Sequence, residues 1–414
     1  MAELPLFAPT YDMQQSTIAM PCNHSGMMDM TGDIGKFGIV DYDWNNGKSI
    51  WASKDPFTTE ELLITQAILR KNQICPEACP LPDGCPNKTA CPQGKTWIYR
   101  NFVKAFPWYT TVREKVQDPQ YSGWFLKFNP KNTTPYNVPV CDDLFDPPKC
   151  TDLYHNKDHS TEHGMQCVDN PCDCGNIPCG EYIYDHRNGS MLQDWLVEVY
   201  AGGATGLANP NVDGFFIDDT WSKAGPAESD PATLRDIGLS TQDVADIQKG
   251  WEENMAKVKQ AILKTNGFNW QMFDVGHRTN AEAPFAKEDC TNYMRTTGCT
   301  GSLTNQSLFY GYTDQHVNLT EIPYFEQDLA AFLSIRGPYA WLGYSWIGCN
   351  EFPVTPKSDI VYHFPPALSE DYGEPLGLCA ETSEGSEIFV RKWSKATVTL
   401  DCKNWQGSID MTKN

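Results

Sequence analysis

The run Val212-Asp213-Gly214-Phe215-Phe216-Ile217-Asp218-Asp219 reads as a buried strand that ends in two adjacent carboxylates. It does not stand alone. Gly38 to Asp43, Glu181 to Asp185 and Asn269 to Asp274 are also strand-like runs closing on aspartate. Aspartate is a poor strand residue. One such residue is as well explained by a helix N-cap or an Asx turn. Four together argue for a shared cleft lined by carboxylates. Paired carboxyl groups suit glycosidic-bond hydrolysis: one protonates the leaving oxygen, and the other attacks or activates water. Side chains alternate along a strand, so Asp218 shares a face with Phe216 and Gly214, and Asp219 with Ile217 and Phe215. Only one of the two points into the mouth. Asp218 is favoured as catalytic and Asp219 as its neighbour or loop cap. Asp274 and Asp185 are the candidates for the second carboxylate. Glu326 is a further candidate, although the first turn of a helix favours a carboxylate anyway.

Around these acids the sequence offers groups for holding a sugar. Trp44, Trp221, Tyr344 and Trp346 lie at or just past strand ends, where flat rings stack on sugar faces. Trp97, Trp270 and Trp341 fall inside strands and read as core. Asp43, Arg100, Asn101, His186, Arg187 and His277 are placed to hydrogen-bond hydroxyls or a charged substituent.

The elements that must position these residues alternate between strand and helix patterns, the signature of parallel β/α units. The expected fold is α/β, a (β/α)8 TIM-like barrel over residues 1–370, with its site at the C-terminal ends of the strands. Expected strands are 38–43, 96–101, 181–185, 212–219, 269–274 and 339–346. Expected helices are 58–71, 190–200, 240–265 and 326–336. Thr58 with Glu61, and Ser240 with Asp243, predict N-terminal capping boxes. Residues 102–180 hold little periodicity and many cysteines, and read as a disulfide-rich insertion. Residues 388–393 and 397–401 alternate as antiparallel strands, giving a small C-terminal β element over 371–414 that packs on the barrel.

Composition narrows the class. The chain has 414 residues, 16 cysteines and a formal net charge of −21. That charge repels phosphate backbones, so no nucleic-acid partner is expected. No run of about 20 apolar residues exists to span a membrane. The clustered cysteines imply disulfides and a secreted protein, with zinc knuckles as the competing reading. Sequons at Asn23, Asn87, Asn132, Asn188, Asn305 and Asn318 agree with export. The opening residues, Met1 to Pro5, show neither a basic nor an apolar stretch, so no signal peptide is read there. No cofactor and no metal are expected, and the expected partner is a carbohydrate substrate.

Three sets of residues together resemble a known group. They are Phe37-Gly38-Ile39-Val40-Asp41-Tyr42-Asp43-Trp44, the strand Asp213 to Asp218, and a tail of Asp371-Tyr372-Gly373-Glu374-Pro375-Leu376-Gly377 with Phe389 to Trp393 and Thr397-Val398. They resemble glycoside-hydrolase-like TIM barrels similar to glycoside hydrolase family 114, the endo-α-1,4-galactosaminidases. In that group an opening D-W, a D-G-φ-F-φ-D strand and a terminal G-x-P-L-G sheet recur in this order. The resemblance covers most of the barrel but not residues 102–180. It implies a retaining or inverting hydrolase with its acidic residue at the end of the Phe216–Asp218 strand, which here is Asp218. The chain departs from the pattern at Asp219, where an amide is more usual, and at Ala396, where the tail has glycine.

Two other functions compete. A catalytically silent carbohydrate-binding barrel keeps the aromatic residues and loses a carboxylate. A metal-dependent, deacetylase-like enzyme finds ligands in His155, His159 and His163, whose four-residue spacing sets three imidazoles on one face of a helix. Asp41-x-Asp43-x-Asn45 is similar to the start of a calcium loop, but Ala52 occupies the position where a bidentate glutamate is required.

Overall fold

The computed structural model describes residues 10–20, 32–44, 58–131, 137–142, 145–156, 173–226, 231–265, 268–271, 278–279, 289–304, 308–311, 325–344 and 364–412. It shows a mixed α/β fold built on an eight-stranded parallel sheet. In chain order the strands are β1 (Thr17–Ala19), β2 (Ile39–Tyr42), β3 (Lys95–Asn101), β4 (Gly214–Asp218), β5 (Phe268–Gln271), β6 (Arg278–Thr279), β7 (Leu308–Gly311) and β8 (Ala340–Tyr344). Strands β1 to β5 lie side by side in chain order. On its other edge β1 pairs with β8, which continues to β7 and β6. A pairing of β5 with β6 is not among the described contacts, and closure into a full barrel is not shown. Only residues 272–277 separate these two strands, short of the dozen residues that a parallel crossover takes.

Burial on both faces of the sheet accounts for its composition. In β4 the residues Phe215, Phe216 and Ile217 are all buried, although they alternate between the two faces. Four of the helices are α1 (Thr59–Ile74), α2 (Ser190–Trp195), α3 (Thr241–Lys264) and α4 (Phe325–Ile335). The capping box of α3 is present: Ser240 Oγ accepts from the Asp243 N–H at 3.2 Å, and Asp243 Oδ2 accepts from the Ser240 N–H at 2.9 Å. The one expected at Thr58 does not form. Thr58 has ψ 39°, away from the extended backbone that aims a cap side chain at the first turn.

Residues 181–185 are a correction. Tyr182–Ile183 is a strand, but it pairs antiparallel with Lys104–Ala105 outside the main sheet. The crossover from β3 to β4 therefore spans residues 102–213. It contains that small pair, the helix Thr110–Gln117, a second pair (Val140–Asp142 with Lys149–Thr151) and α2, which runs on as a π-helical turn over Leu196–Ala201.

Near the C-terminus, Ala380–Glu381, Ile388–Lys392, Ala396–Asp401 and Gln406–Met411 form a four-stranded antiparallel sheet against α4. Gly407 makes this approach feasible, since a Cβ there would stand 2.8 Å from the Gln327 Cα. Arg391 ties the far end of α4, donating to the carbonyls of Leu333, Ser334 and Arg336 at 2.7–3.3 Å.

Disulfides Cys290–Cys402 and Cys299–Cys379 join this sheet to the preceding helical segment. The others are Cys75–Cys91, Cys79–Cys85, Cys141–Cys150 and Cys174–Cys179. Among the described residues no cysteine is free, so the zinc-knuckle reading of Cys75 and Cys79 gives way to disulfides. Multiple disulfides are consistent with an extracellular protein. No described helix is long and apolar enough to cross a membrane.

Candidate functional site

Three neighbouring strands deliver polar groups to one end of the sheet. The β3–β4 register pairs Asn101 with Asp218, and alternation then sets Trp97, Tyr99, Asn101, Phe216 and Asp218 on one face. The contacts agree. The Tyr99 and Phe216 rings lie 5.9 Å apart, and Tyr99 Oη donates to Asp218 Oδ2 at 2.6 Å. The β2–β3 register pairs Asp41 with Trp97, so Asp41 faces the same way and Asp43 follows at the end of that strand.

Asp218 is partly exposed at the strand end, whereas Asp219 is 1% exposed. Asp219 has φ 58°, a left-handed conformation that costs a non-glycine residue about 1–2 kcal/mol. Its side chain is well anchored. Asn101 Nδ2 donates to Asp219 Oδ2 at 2.6 Å, and Lys104 Nζ stands 3.5 Å from the same oxygen. Its own N–H turns back onto Asp218 Oδ1 at 2.9 Å. Strain held at a strand end beside a carboxylate is typical of functional positions.

The charges are tightly coupled. Burial, and then the carboxylates of Asp218, Asp219 and Asp43, hold the Tyr99 phenol well above its ordinary range. The phenol therefore stays a hydrogen-bond donor at every physiological pH. Burial also lifts the Asp41 carboxyl well above the usual carboxylate range, helped by Asp43 and opposed by the Phe216 backbone. Lys104 sits between Asp219 and Glu181, whose Oε2 lies 3.2 Å away.

The cluster thus brings together Asp43, Asn101, Asp218 and Asp219 from the sequence-based set. Trp44 packs beside it, buried against Trp108 and Phe106 with ring centroids 4.7 and 5.4 Å away. Trp221 is 2% exposed, so neither ring offers an open platform in this conformation. Arg100 does not join the cluster. It lies on the opposite face of β3, fully buried, 3.3 Å from Glu60 and against the rings of Tyr200, Tyr109 and Phe215. Asp185 ends no strand of the main sheet. It caps the short helix His186–Asn188 and pairs with Arg187 at 2.8 Å. Arg187 also pairs with Asp243 at the start of α3.

His186 is buried, with Nε2 2.7 Å from the Phe102 carbonyl and Nδ1 2.8 Å from Asn254 Nδ2. Burial lowers its pKa to about 4. A groove of about 440 Å³ opens beside it, lined in part by Arg187, Ser190, Gln193, Lys249 and Glu253. Glu326 lies in the first turn of α4 beside the C-terminal sheet. Asp274, His277, Trp346 and the side chain of Tyr344 lie outside the described residues. His155 bridges antiparallel to Tyr182 and stacks on its ring, so the three-histidine helical face is not formed there, and His159 and His163 lie outside the described residues.

Three contributors escaped the sequence reading, namely Tyr99, Lys104 and the Phe106–Trp108 stack, and a fourth, Asp41, was weighed there only as the start of a calcium loop and as part of the opening motif. Parity held the signal for two of them. Trp97, Tyr99 and Asn101 alternate on one face of β3, as Asp41 and Asp43 do along β2.

No family model and no curated protein matches this chain. Among solved structures, sucrose 6F-phosphate phosphorylase from Thermoanaerobacter thermosaccharolyticum is similar at a TM-score of 0.41, with 10% sequence identity over 97% of this chain and 96% of that one. A likeness at that level carries no argument about fold or activity.

Proposed function

We propose that the chain is a secreted glycoside hydrolase acting on an oligosaccharide or polysaccharide, with Asp218 as a catalytic carboxylate. One observation carries this reading: Asp218 is a partly exposed carboxylate at a parallel-strand end, held by Tyr99 and by the backbone of a strained, buried Asp219. The chain-order pairing of β1–β5 and the β1–β8 pairing support a parallel β/α architecture, whose sites lie at that end of the strands. The motifs shared with glycoside hydrolases similar to family 114 converge on the same residue. The disulfides support an exported protein, and the acidic chain disfavours nucleic acid as a partner.

In the reaction, either the Asp218 carboxylate bonds to the anomeric carbon or it takes a proton from the water that does. The glycosidic C–O bond breaks, and the leaving oxygen receives a proton from a second carboxylic acid; in the covalent route water, deprotonated by that second group, then displaces Asp218 from the anomeric carbon. Asp43, whose charge reaches the same phenol, and Asp274, which follows β5 in sequence, are the proposed sources of that acid. The test is reducing-end release from a panel of neutral, acidic and amino-sugar glycans. Asp218→Asn is expected to lower turnover at least about 1000-fold with its fold retained. Hydrolysis by the folded variant at the wild-type rate contradicts the assignment, and affinity without release from any glycan favours a binding barrel.

A further inference from the structure

The hydrogen bonds around Asp218 run in one direction. Asn101 Oδ1 receives two backbone donors, the N–H groups of Val103 at 2.9 Å and Lys104 at 2.7 Å. An amide nitrogen cannot accept them, so the orientation of the Asn101 side chain is fixed by the turn that follows β3. Its Nδ2 then has two hydrogens to give. One goes to Asp219 Oδ2 at 2.6 Å, and the other to Tyr99 Oη at 3.1 Å. Tyr99 Oη is an acceptor toward Asn101, so its single hydrogen must go to Asp218 Oδ2 at 2.6 Å. The other oxygen of Asp218 accepts the Asp219 N–H at 2.9 Å. Both oxygens of Asp218 are therefore addressed by donors. Both bonds are stronger to a carboxylate than to a carboxylic acid, so protonating Asp218 weakens them at a cost of about 1–3 kcal/mol.

We propose that Tyr99 and Asn101 are positioning residues that hold Asp218 in its ionised form, making it the nucleophile or general base and excluding it as the general acid. The role assignment rests on the hydrolase reading, but the polarity of the chain Asn101–Tyr99–Asp218 does not. Among the described residues, the charged or titratable groups around this chain are Asp43 and Asp41 from the β2 side, Tyr99 from β3, and Asp219 after β4 with Lys104 beyond it; the side chains of β5 lie outside the described residues. The two donors, the Tyr99 hydroxyl and the Asp219 N–H, favour the charged form of Asp218 over the acid. Asp219 has a different part in the same arrangement. Buried and anchored by Asn101 and Lys104, it supplies a backbone donor rather than a reactive side chain.

The test needs no substrate. The epoxide 2,3-epoxypropan-1-ol esterifies a carboxylate but not a carboxylic acid: the oxygen attacks a ring carbon, the ring C–O bond opens, and the alkoxide takes a proton from water. Labelling of Asp218 is followed against pH by peptide mass spectrometry, with buried Asp219 as the unlabelled neighbour. Tyr99→Phe is expected to move the pH of half-maximal labelling upward by about one pH unit. Asn101→Ala, which removes both side-chain donors, is expected to move it the same way. A merely structural role lowers the melting temperature without moving this midpoint. An unchanged midpoint in either folded variant overturns the proposal. A shifted midpoint in a protein that releases no sugar from any glycan retains the hydrogen-bond polarity and removes the hydrolase reading instead.

Discussion

Strand β4 is preceded by Asp213 and runs out into Asp218 and Asp219, so its two ends can be compared within one element. Asp213 is buried and matched by ammonium groups. Lys71 Nζ lies 2.5 Å from Oδ2, Lys95 stands 3.7 Å from Oδ1, and the Thr96 N–H donates at 2.8 Å. At the other end Asp218 is partly exposed and is held by neutral donors, a phenol and a peptide N–H. The first arrangement fixes a charge where water cannot reach. The second keeps a carboxylate oriented and within reach of a ligand. The same residue type on one strand thus serves stability at one end and, in the proposed function, chemistry at the other, in keeping with the division of labour across parallel β/α sheets.

The comparison breaks first at Lys71. Removing one partner from a buried ion pair leaves an uncompensated charge, so Lys71→Met is expected to cost about 4 kcal/mol in urea unfolding. A loss under about 1 kcal/mol would show that Asp213 is not the compensated end.

His186 sharpens the other end, because it holds the Phe102 carbonyl next to Asn101. Its pKa is about 4 in the folded chain and about 6.5 unfolded. A depressed histidine contributes stability that is complete above pH 6.5 and fades as pH falls toward 4, so the wild type is expected to lose about 3 kcal/mol across that window. His186→Gln should lose correspondingly less, measured by urea unfolding at pH 7 and pH 4. Equal losses in the two proteins would place the sensitivity elsewhere.

A last test concerns Asp41. Its folded-state pKa is raised, so the unfolded chain gives up this proton first, and the wild type loses stability as pH climbs above the ordinary aspartate value of about 3.9. Asp41→Asn is expected to be relatively more stable at pH 8 than at pH 4 in thermal melts. A pH-independent difference would mean that Asp41 is not buried as a neutral acid.

Legibility in the sequence followed the strength of each local signal. Successive side chains of any strand point to opposite faces, so parity set Asp218 and Asp219 apart before any contact was known. The Ser240–Asp243 box announced α3 for the same reason, a short motif with a fixed geometry. Residues 181–185 alternate as a strand should, but the partner of a strand is set by the rest of the chain, and here it is Lys104–Ala105. Strands as short as Thr17–Ala19 and Arg278–Thr279 carry no period to read. Arg100 looked like a mouth residue because it ends an apolar run. Parity places it with Ile98 on the helix-facing side, where Glu60 and the Tyr200 ring receive it. Lys104 was hidden because its partners, Asp219 and Glu181, are distant in sequence and meet it only in the folded chain.

The most direct measurement sets Asp218→Asn beside Asp213→Asn, reading sugar release and unfolding free energy on the same preparations. The account predicts that the first variant loses hydrolysis while its stability stays within about 1 kcal/mol of wild type, and that the second loses several kcal/mol of stability. Undiminished hydrolysis in a folded Asp218→Asn protein would contradict it.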